Sequence, residues 1–437
     1  MMKEMNKLTS ILIWVALLLP VLSMAQVPAP AGPQEKPVAI MNATAHLGNG
    51  EVIPNAIITF KDGKLENVVD ATVVRMDLQG YEQINASGMH AYPGLILPCT
   101  DLGLVEIAAV SATVDNDETG PVNPNVRSIV AYNTDSHVIP TNRFNGILMA
   151  QIIPKGGLIS GTSSVVQLDA WNWEDAAYKT DDGIHLNWPS RMLSPRWWMG
   201  ETDMRPNDKY GEQVKSVTDL LEDARSYAEL SRPEEVNLKL EAMRGLFDGS
   251  KQLFIHADKA RDMMESVQQT RAYGVKKQVL VGAEDAHLII DFLKENNVPV
   301  ILKDVHRMAD RNADAYDLPY QQPAILHKAG VLVTLMYENY SNARNLPFYA
   351  GTTAGNGLSK EEALQLVTLN AAKVLGIDAT CGSLESGKDA TLVLSSGDIL
   401  DMRSNNIVHA FIMGRKVTTE GKQQYLYNKW KTKYGQD

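Results

Sequence analysis

Four apolar stretches of this sequence end in residues that can move protons or hold cations. His256 closes "LFIH" and is followed by Asp258 and Lys259, while Glu284 and Asp285 follow "QVLVG". Lys303, Asp304 and His306 follow "VPVIL", and Glu338 and Asn339 follow "VLVTLMY". Imidazoles and carboxylates gathered at one place suit either a divalent metal or proton transfer to and from a substrate. Taken singly, most such residues serve structure. His256 stands apart because it ends an otherwise apolar strand at the side where a site is expected. Other chemistries find no support: there is no "GxSxG" nucleophile elbow and no "HExxH". Two cysteines cannot close a zinc site, and "KGG" at Lys155 to Gly157 reads as a turn.

The elements that must position these residues alternate. "NGILMAQIIP", "SSVVQL", "QLFIHA", "QVLVG", "VPVILKD" and "VLVTLMYEN" read as strands. Between and after them, "SVTDLLEDARSYAEL", "PEEVNLKLEAMRGLF", "DKARDMMESVQQTRAYG", "EDAHLIIDFLKENN" and "LSKEEALQLVTLNAAKVLG" carry helical periodicity. Ser359 and Glu362 form a capping box at the start of the last of these. Repeated strand-then-helix units imply parallel strands with crossover helices, in a closed barrel or a doubly wound sheet. No glycine-rich phosphate loop follows any strand, which favours the barrel, where function gathers at the C-terminal strand ends. Both ends of the chain differ from this middle. Short β-rich runs with "GNG" and "KDGK" turns come first, and "DATLVLSSGD" and "NNIVHAFIMGRKVTTEGK" come last. If the two ends share a sheet, they build a small β domain around the larger one.

A stretch rich in tryptophan, "DAWNWEDAAYKTDDGIHLNWPSRMLSPRWWMG", holds Trp171, Trp173, Trp188, Trp197 and Trp198. It either walls a substrate cleft or is a long insertion packed on itself or on a partner subunit. His185, within it, receives no role.

The chain has 437 residues, of which 44% are hydrophobic and 21% charged, enough for a substantial core. A net charge of −11 without a basic cluster argues against nucleic acid as a partner. Residues 1–25 read as a signal peptide: Lys3 and Lys7, then "ILIWVALLLPVL", then "SMA" before Gln26. A Pro-rich tether follows over 26–37. No later apolar run is long enough to span a bilayer, so the expected product is exported, to a periplasm or to the medium, without a membrane span. Cys99, in a strand-like setting, reads as a small buried thiol.

Several of these segments together resemble the amidohydrolase superfamily, in its imidazolonepropionase-like branch. "GMHAYPGLI" looks like the approach to the first barrel strand, and "GLSKEEALQLVTLNAAKVLGI" with "GSLESGKDATLVL" like the last helix and the return to the β domain. "AIITFKDGKLENVV" and "VHAFIMGRKV" are similar to the opening and closing hairpins. The resemblance implies an α/β protein: a (β/α)8 TIM-type barrel over 93–380, with a composite β-sandwich from 38–92 and 381–437. It implies hydrolysis of non-peptide carbon–nitrogen bonds in small or cyclic amides by a metal-activated water. Where the family carries a His-x-His pair on the first strand, this sequence has "LPCTDLG". His256 matches the fifth-strand histidine. The sixth-strand histidine falls at Val281 or Gly282, and the eighth-strand aspartate at Tyr337 or Glu338. A rearranged hydrolase site would turn His256 and Glu284 toward a divalent metal such as zinc and use Glu338 as the catalytic carboxylate. His306, Trp171 and Trp173 would then meet the substrate. The alternative is an inactive barrel that binds a small ligand, or a non-catalytic subunit. Either would pair with itself or with an active relative.

Overall fold

The structure is a computed structural model that describes residues 28–309, 311 and 313–436, and for Trp197 only the backbone. The expected signal segment lies outside the described residues. The first strands are β1 (Val38–His46), β2 (Val52–Lys61), β3 (Lys64–Asp70), β4 (Glu82–Asn85) and β5 (His90–Pro93). Next come β6 (Leu95–Thr100), β7 (Ile147–Ile152), β8 (Ile159–Gln167) and β9 (Ala177–Asn187). A small ribbon of β10 (Met192–Leu193) and β11 (Arg205–Pro206) precedes β12 (Gln252–Ala257), β13 (Gln278–Gly282), β14 (Val300–Leu302) and β15 (Val333–Leu335). The chain closes with β16 (Leu392–Ser395), β17 (Ile407–Ile412) and β18 (Arg415–Val417).

The two ends do share a sheet, in the order β18-β17-β16-β5-β1-β2-β3, with β4 beside β1. Asp62 and Gly63 turn the β2–β3 hairpin with positive φ at both residues (49° and 79°), the turn whose twist matches paired strands. Met413 and Gly414 do the same between β17 and β18 (47° and 75°). In a flat sheet, β2 and β17 would stand about 19 Å apart, four strand spacings. Their side chains Phe60 and Phe411 instead meet edge to face with ring centroids 5.0 Å apart. The sheet therefore curls over on itself around a core of Ile40, Ile58, Phe60, Leu392 and Phe411.

The larger sheet runs β6-β7-β8-β9-β12-β13-β14-β15. Its strands are not all parallel, as the alternating pattern implied. β8 runs antiparallel to both β7 and β9, while β6 pairs β7, and β9 pairs β12, in parallel. The cause is the β7–β8 connection, residues 153–158, which is too short for a crossover helix and can only make a hairpin. The seam between β15 and β6 is filled by another segment. Ile96 N donates to Val367 O (2.9 Å), Thr334 Oγ1 donates to Leu366 O (2.6 Å), and Asn370 Nδ2 donates to Val333 O (3.0 Å). The helix expected over "LSKEEALQLVTLNAAKVLG" accordingly breaks into Lys360–Leu366 and Leu369–Leu375, because carbonyls at the break are used by the barrel. Its capping box is present, with Ser359 Oγ accepting from Glu362 N and Glu362 Oε2 accepting from Ser359 N.

Barrel and sandwich are joined by Asp169, which is buried just past β8. Its Oδ1 accepts from Arg143 Nη1 (2.6 Å), and its Oδ2 accepts from Arg415 Nη1 on β18 (3.0 Å) and from Ala31 N (2.9 Å). Removing one member of such a network strands the buried charge of the others. Asp169→Ala should therefore cost about 3–5 kcal/mol of unfolding free energy, read as a lowered urea midpoint. A loss within experimental error would show that the clamp does not join the domains.

Candidate active site at the barrel mouth

The C-terminal ends of the parallel strands open into two adjoining chambers. The first, about 680 Å³, has Trp188, Met192, Leu193 and Met204 along its walls, with His256, Asp258, Lys259, Glu284 and Lys303 also facing it. The second, about 560 Å³, is lined by Asp101, Lys155, Asp304, His306, Tyr337, Glu338, Tyr340 and Tyr349, among others. Lys303 and Asp304 are consecutive, so the chambers share a border. Left-handed backbone clusters here at non-glycine residues: Cys99 (φ 51°), Ala283 (φ 52°) and Asp304 (φ 26°). Such strain persists only where the surrounding structure imposes it. Gly282 (φ 90°) leaves room for Asp258, whose Oδ1 would lie 2.4 Å from a Cβ at that position.

His256 sits at the end of β12, where the sequence placed it. Its Nε2 lies 2.9 Å from Nδ1 of His185, one nitrogen donating to the other. His185 is fully buried on β9 and stacks on Phe254 at 4.8 Å with the rings 5° from parallel. Burial, then the charges of Lys155 and Lys303, push His256 down to about 4, so it is neutral at physiological pH. Burial also holds His185 well below the usual histidine range, with His256 adding to the effect.

The carboxylates of the first chamber are neutralised by cations. Lys303 Nζ lies 2.9 Å from Asp258 Oδ2 and 3.1 Å from Glu284 Oε1, and Lys259 Nζ lies 2.9 Å from Glu284 Oε2. Arg311 pairs with Asp285 at 2.5 Å. Burial alone would weaken the Lys303 ammonium. Asp258 and Glu284 more than reverse that, holding it above the usual lysine range. Burial raises Asp258, against the pull of Lys303.

The amidohydrolase family model matches residues 158–417. That is well over half of the sequence. The chain belongs to the amidohydrolase family. An amidohydrolase from Thermotoga maritima superposes with TM-score 0.75 at 22% identity, covering 87% of this chain and 99% of that one. Molinate hydrolase gives TM-score 0.55 at 13% identity, over 88% and 95% of the two chains. A zinc-bound adenosine deaminase from Xanthomonas campestris gives 0.54 at 14%, over 93% and 100%. At these identities the neighbours speak for the fold. Among curated proteins nothing matches.

Members of the amidohydrolase family typically bind divalent metals, and the residues at this mouth do not fit one. No group of three or more His, Cys, Asp or Glu side chains is arranged to hold a cation among the described residues. At the end of β6 the strand bulges between Leu97 and Thr100. There Cys99 N and Sγ both donate to Gln151 Oε1 (3.2 and 3.4 Å), and burial keeps the thiol protonated. Thr100 Oγ1 accepts from Leu102 N, and Asp101 Oδ2 is taken by Lys155 and Asn116. Glu284, expected beside His256 as a ligand, faces the same chamber but is held by two lysines.

The remaining expected residues separate. Glu338 and His306 line the second chamber, not the first, and His306 Nε2 bonds Thr352 Oγ1 at 2.6 Å. Trp171 and Trp173 do not line either chamber. Because β8 runs antiparallel, the β8–β9 connection that carries them lies at the opposite end of the barrel. There Trp171 is 67% exposed and Trp173 packs against the core. Trp188 takes the place expected of them. His185, given no role from sequence, lies on the longest barrel strand, inside the stretch read as a loop-rich insertion. The run "GIHLN" is the signal that could have found it: an apolar strand end with the same Ile-His order as "FIHA".

The sign of the histidine effect is testable. In the unfolded chain His256 binds a proton near pH 6.5, in the folded one only near 4, so the unfolded state holds more protons between these values. Stability should fall on acidification through that window, by about 3 kcal/mol from His256 alone. Urea midpoints measured from pH 7 to pH 4 check it. His256→Gln should flatten the slope, and an unchanged slope would show that His256 is not the buried neutral group.

Proposed function

We propose that this amidohydrolase-family protein is an exported hydrolase of small non-peptide carbon–nitrogen bonds, with a lysine ammonium where relatives use a metal. The observation that carries the reading is Lys303, seated between Asp258 and Glu284 in the chamber that His256 also lines. An ammonium has three protons, and two carboxylates take two of them. The third is left for a substrate carbonyl, where a fixed positive charge stabilises the oxyanion as it forms. His256 is held neutral. With its Nε2–H donated to His185, its Nδ1 is the lone pair that accepts a proton from the attacking water. Asp258 and Glu284 are positioning residues that hold Lys303 charged.

One observation favours a second reading. A histidine lowered to about 4 is a weak base, and the carboxylates beside it are already paired. A barrel that binds a small ligand without turnover, or that serves as the non-catalytic partner of a related amidohydrolase, would show the same features. Turnover of a panel of N-acyl and cyclic amides separates the two. The hydrolase reading expects activity that survives dialysis against a chelator and drops at least about 100-fold in both His256→Ala and Lys303→Met. Activity that requires added zinc, or that is unchanged in His256→Ala, would sink it. Ligand-induced thermal stabilisation without product would install the second reading.

Export rests on residues 1–25. Intact mass of protein recovered from the source cells should correspond to a chain beginning at Gln26. Recovery with Met1 retained would remove the signal-peptide assignment.

A further inference from the structure

We infer that the second chamber of the barrel mouth is a binding site for an organic ammonium group. The inference rests on the mouth being the functional site and supplies what that reading lacks, the substrate class: a small amide that also carries an amine.

The two chambers differ in how their acids are balanced. In the first, Asp258 and Glu284 are matched by lysines. In the second, Lys155 is matched to Asp101 at 2.9 Å, and two further carboxylates are left over. Glu338 has no hydrogen-bond or ion-pair partner among the described residues, and Asp304 accepts only from the Tyr349 phenol at 3.3 Å. The chamber is thus short of positive charge. Asp101, 4% exposed, lines it with an Oδ1 that no group satisfies among the described residues.

Aromatic faces accompany the acids. Tyr337 and Tyr349 stack with ring centroids 4.6 Å apart at 17°, and Tyr340 stands at the same chamber, anchored through its hydroxyl to Glu106 O at 3.2 Å. Carboxylates in a chamber lined by phenol rings suit an alkylammonium ion, which pairs with the acids while its apolar skin packs on the rings. A bare divalent ion needs several oxygens converging on one point, and no such convergence is present among the described residues. Asp304 is held at φ 26° without a glycine to ease it, so the fold bears a strain that places this carboxylate. Lys303, the next residue back, belongs to the first chamber. A molecule with its amine in the second chamber therefore presents its neighbouring atoms to Lys303 and His256.

The probe is benzylamine, compared with benzyl alcohol of nearly the same shape, titrated into the full-length mature protein at neutral pH by calorimetry or ligand-observed NMR. The amine should bind about tenfold or more tightly than the alcohol. Glu338→Gln and Asp304→Asn should each weaken amine binding about fivefold and leave the alcohol unaffected. Glu338 is exposed, so its variant remains informative if Asp304→Asn does not fold. Equal affinity for amine and alcohol overturns the inference, as does amine binding indifferent to both variants. Amine binding by the unmutated protein with no amide turned over would retain the ammonium site and reject the hydrolase. Turnover without amine preference would do the reverse.

Discussion

The short connection 153–158 is the constraint on which the mouth depends. Because it admits no helix, β8 must return antiparallel to β7, and the next strand must then climb back toward the mouth as β9. That return lays β9 beside β12 in parallel register, with Phe254 opposite His185 and His256 opposite Asn187. The paired histidines follow from this placement. The connection itself lies at the mouth and carries Lys155, whose ammonium reaches Asp101 at the end of β6. Inside the barrel the same reversal brings Ser163 of β8 and Asp182 of β9 against Gln151 of β7. Asp182 accepts from Ser163 Oγ at 2.7 Å and from Gln151 Nε2 at 2.8 Å. Gln151 Oε1 in turn accepts from Cys99. One hairpin thus arranges a polar chain across four strands of the barrel interior.

Charge at the mouth obeys a simple rule of burial. A carboxylate taken from water must be paired, hydrogen-bonded or protonated. Asp258 and Glu284 are paired by Lys303, and Asp182 is hydrogen-bonded while burial raises its pKa. Once ammonium groups occupy this floor, a histidine among them cannot remain charged, and His256 is driven neutral by burial and by Lys155 and Lys303 together. A cationic metal would have to displace those lysines from their partners and then find imidazole and carboxylate donors in a convergent set. At the end of β6 the buried thiol and the hydroxyl that accepts from Leu102 N are neither, and the Asp101 carboxylate is held by Lys155 and Asn116.

Much of this architecture was legible in the sequence, and the failures share a cause. "QLFIHA" and "QVLVG" coincide with β12 and β13, and the Asp62–Gly63 turn falls where "KDGK" put it, because local chemistry decides each of them. The capping box at Ser359 is likewise a matter of adjacent residues. What escaped was set by partners distant in sequence. The break at Val367 exists because β6, far upstream, needs that carbonyl. The strand β9 begins with polar "AYKTDD", facing the domain junction and the buried network, so its apolar pattern emerges only at "GIHLN". Trp171 and Trp173 were misplaced for the same reason: only the direction of β8 tells which end of the barrel they occupy. The place of His256 at a strand end was readable because a polar ending on an apolar strand is visible locally, and the place of His185 was not because its strand had not been recognised.

The fold can carry such a mouth because its stability is invested elsewhere. Asp169 with Arg143 and Arg415 closes the far end, the carbonyls of Leu366 and Val367 close the seam, and Phe60 with Phe411 closes the sandwich. None of these contacts touches either chamber, and effects at well-separated sites add nearly independently. The lysines at the mouth can therefore decide what it holds without cost to the barrel. The first chamber, balanced in charge and walled by Trp188 and methionines, suits the neutral part of a molecule. The second keeps Asp304 and Glu338 without cations of their own among the described residues. Two acids left unbalanced in a chamber with stacked tyrosines set it apart from its neighbour, and that asymmetry is the argument for a ligand with one cationic end.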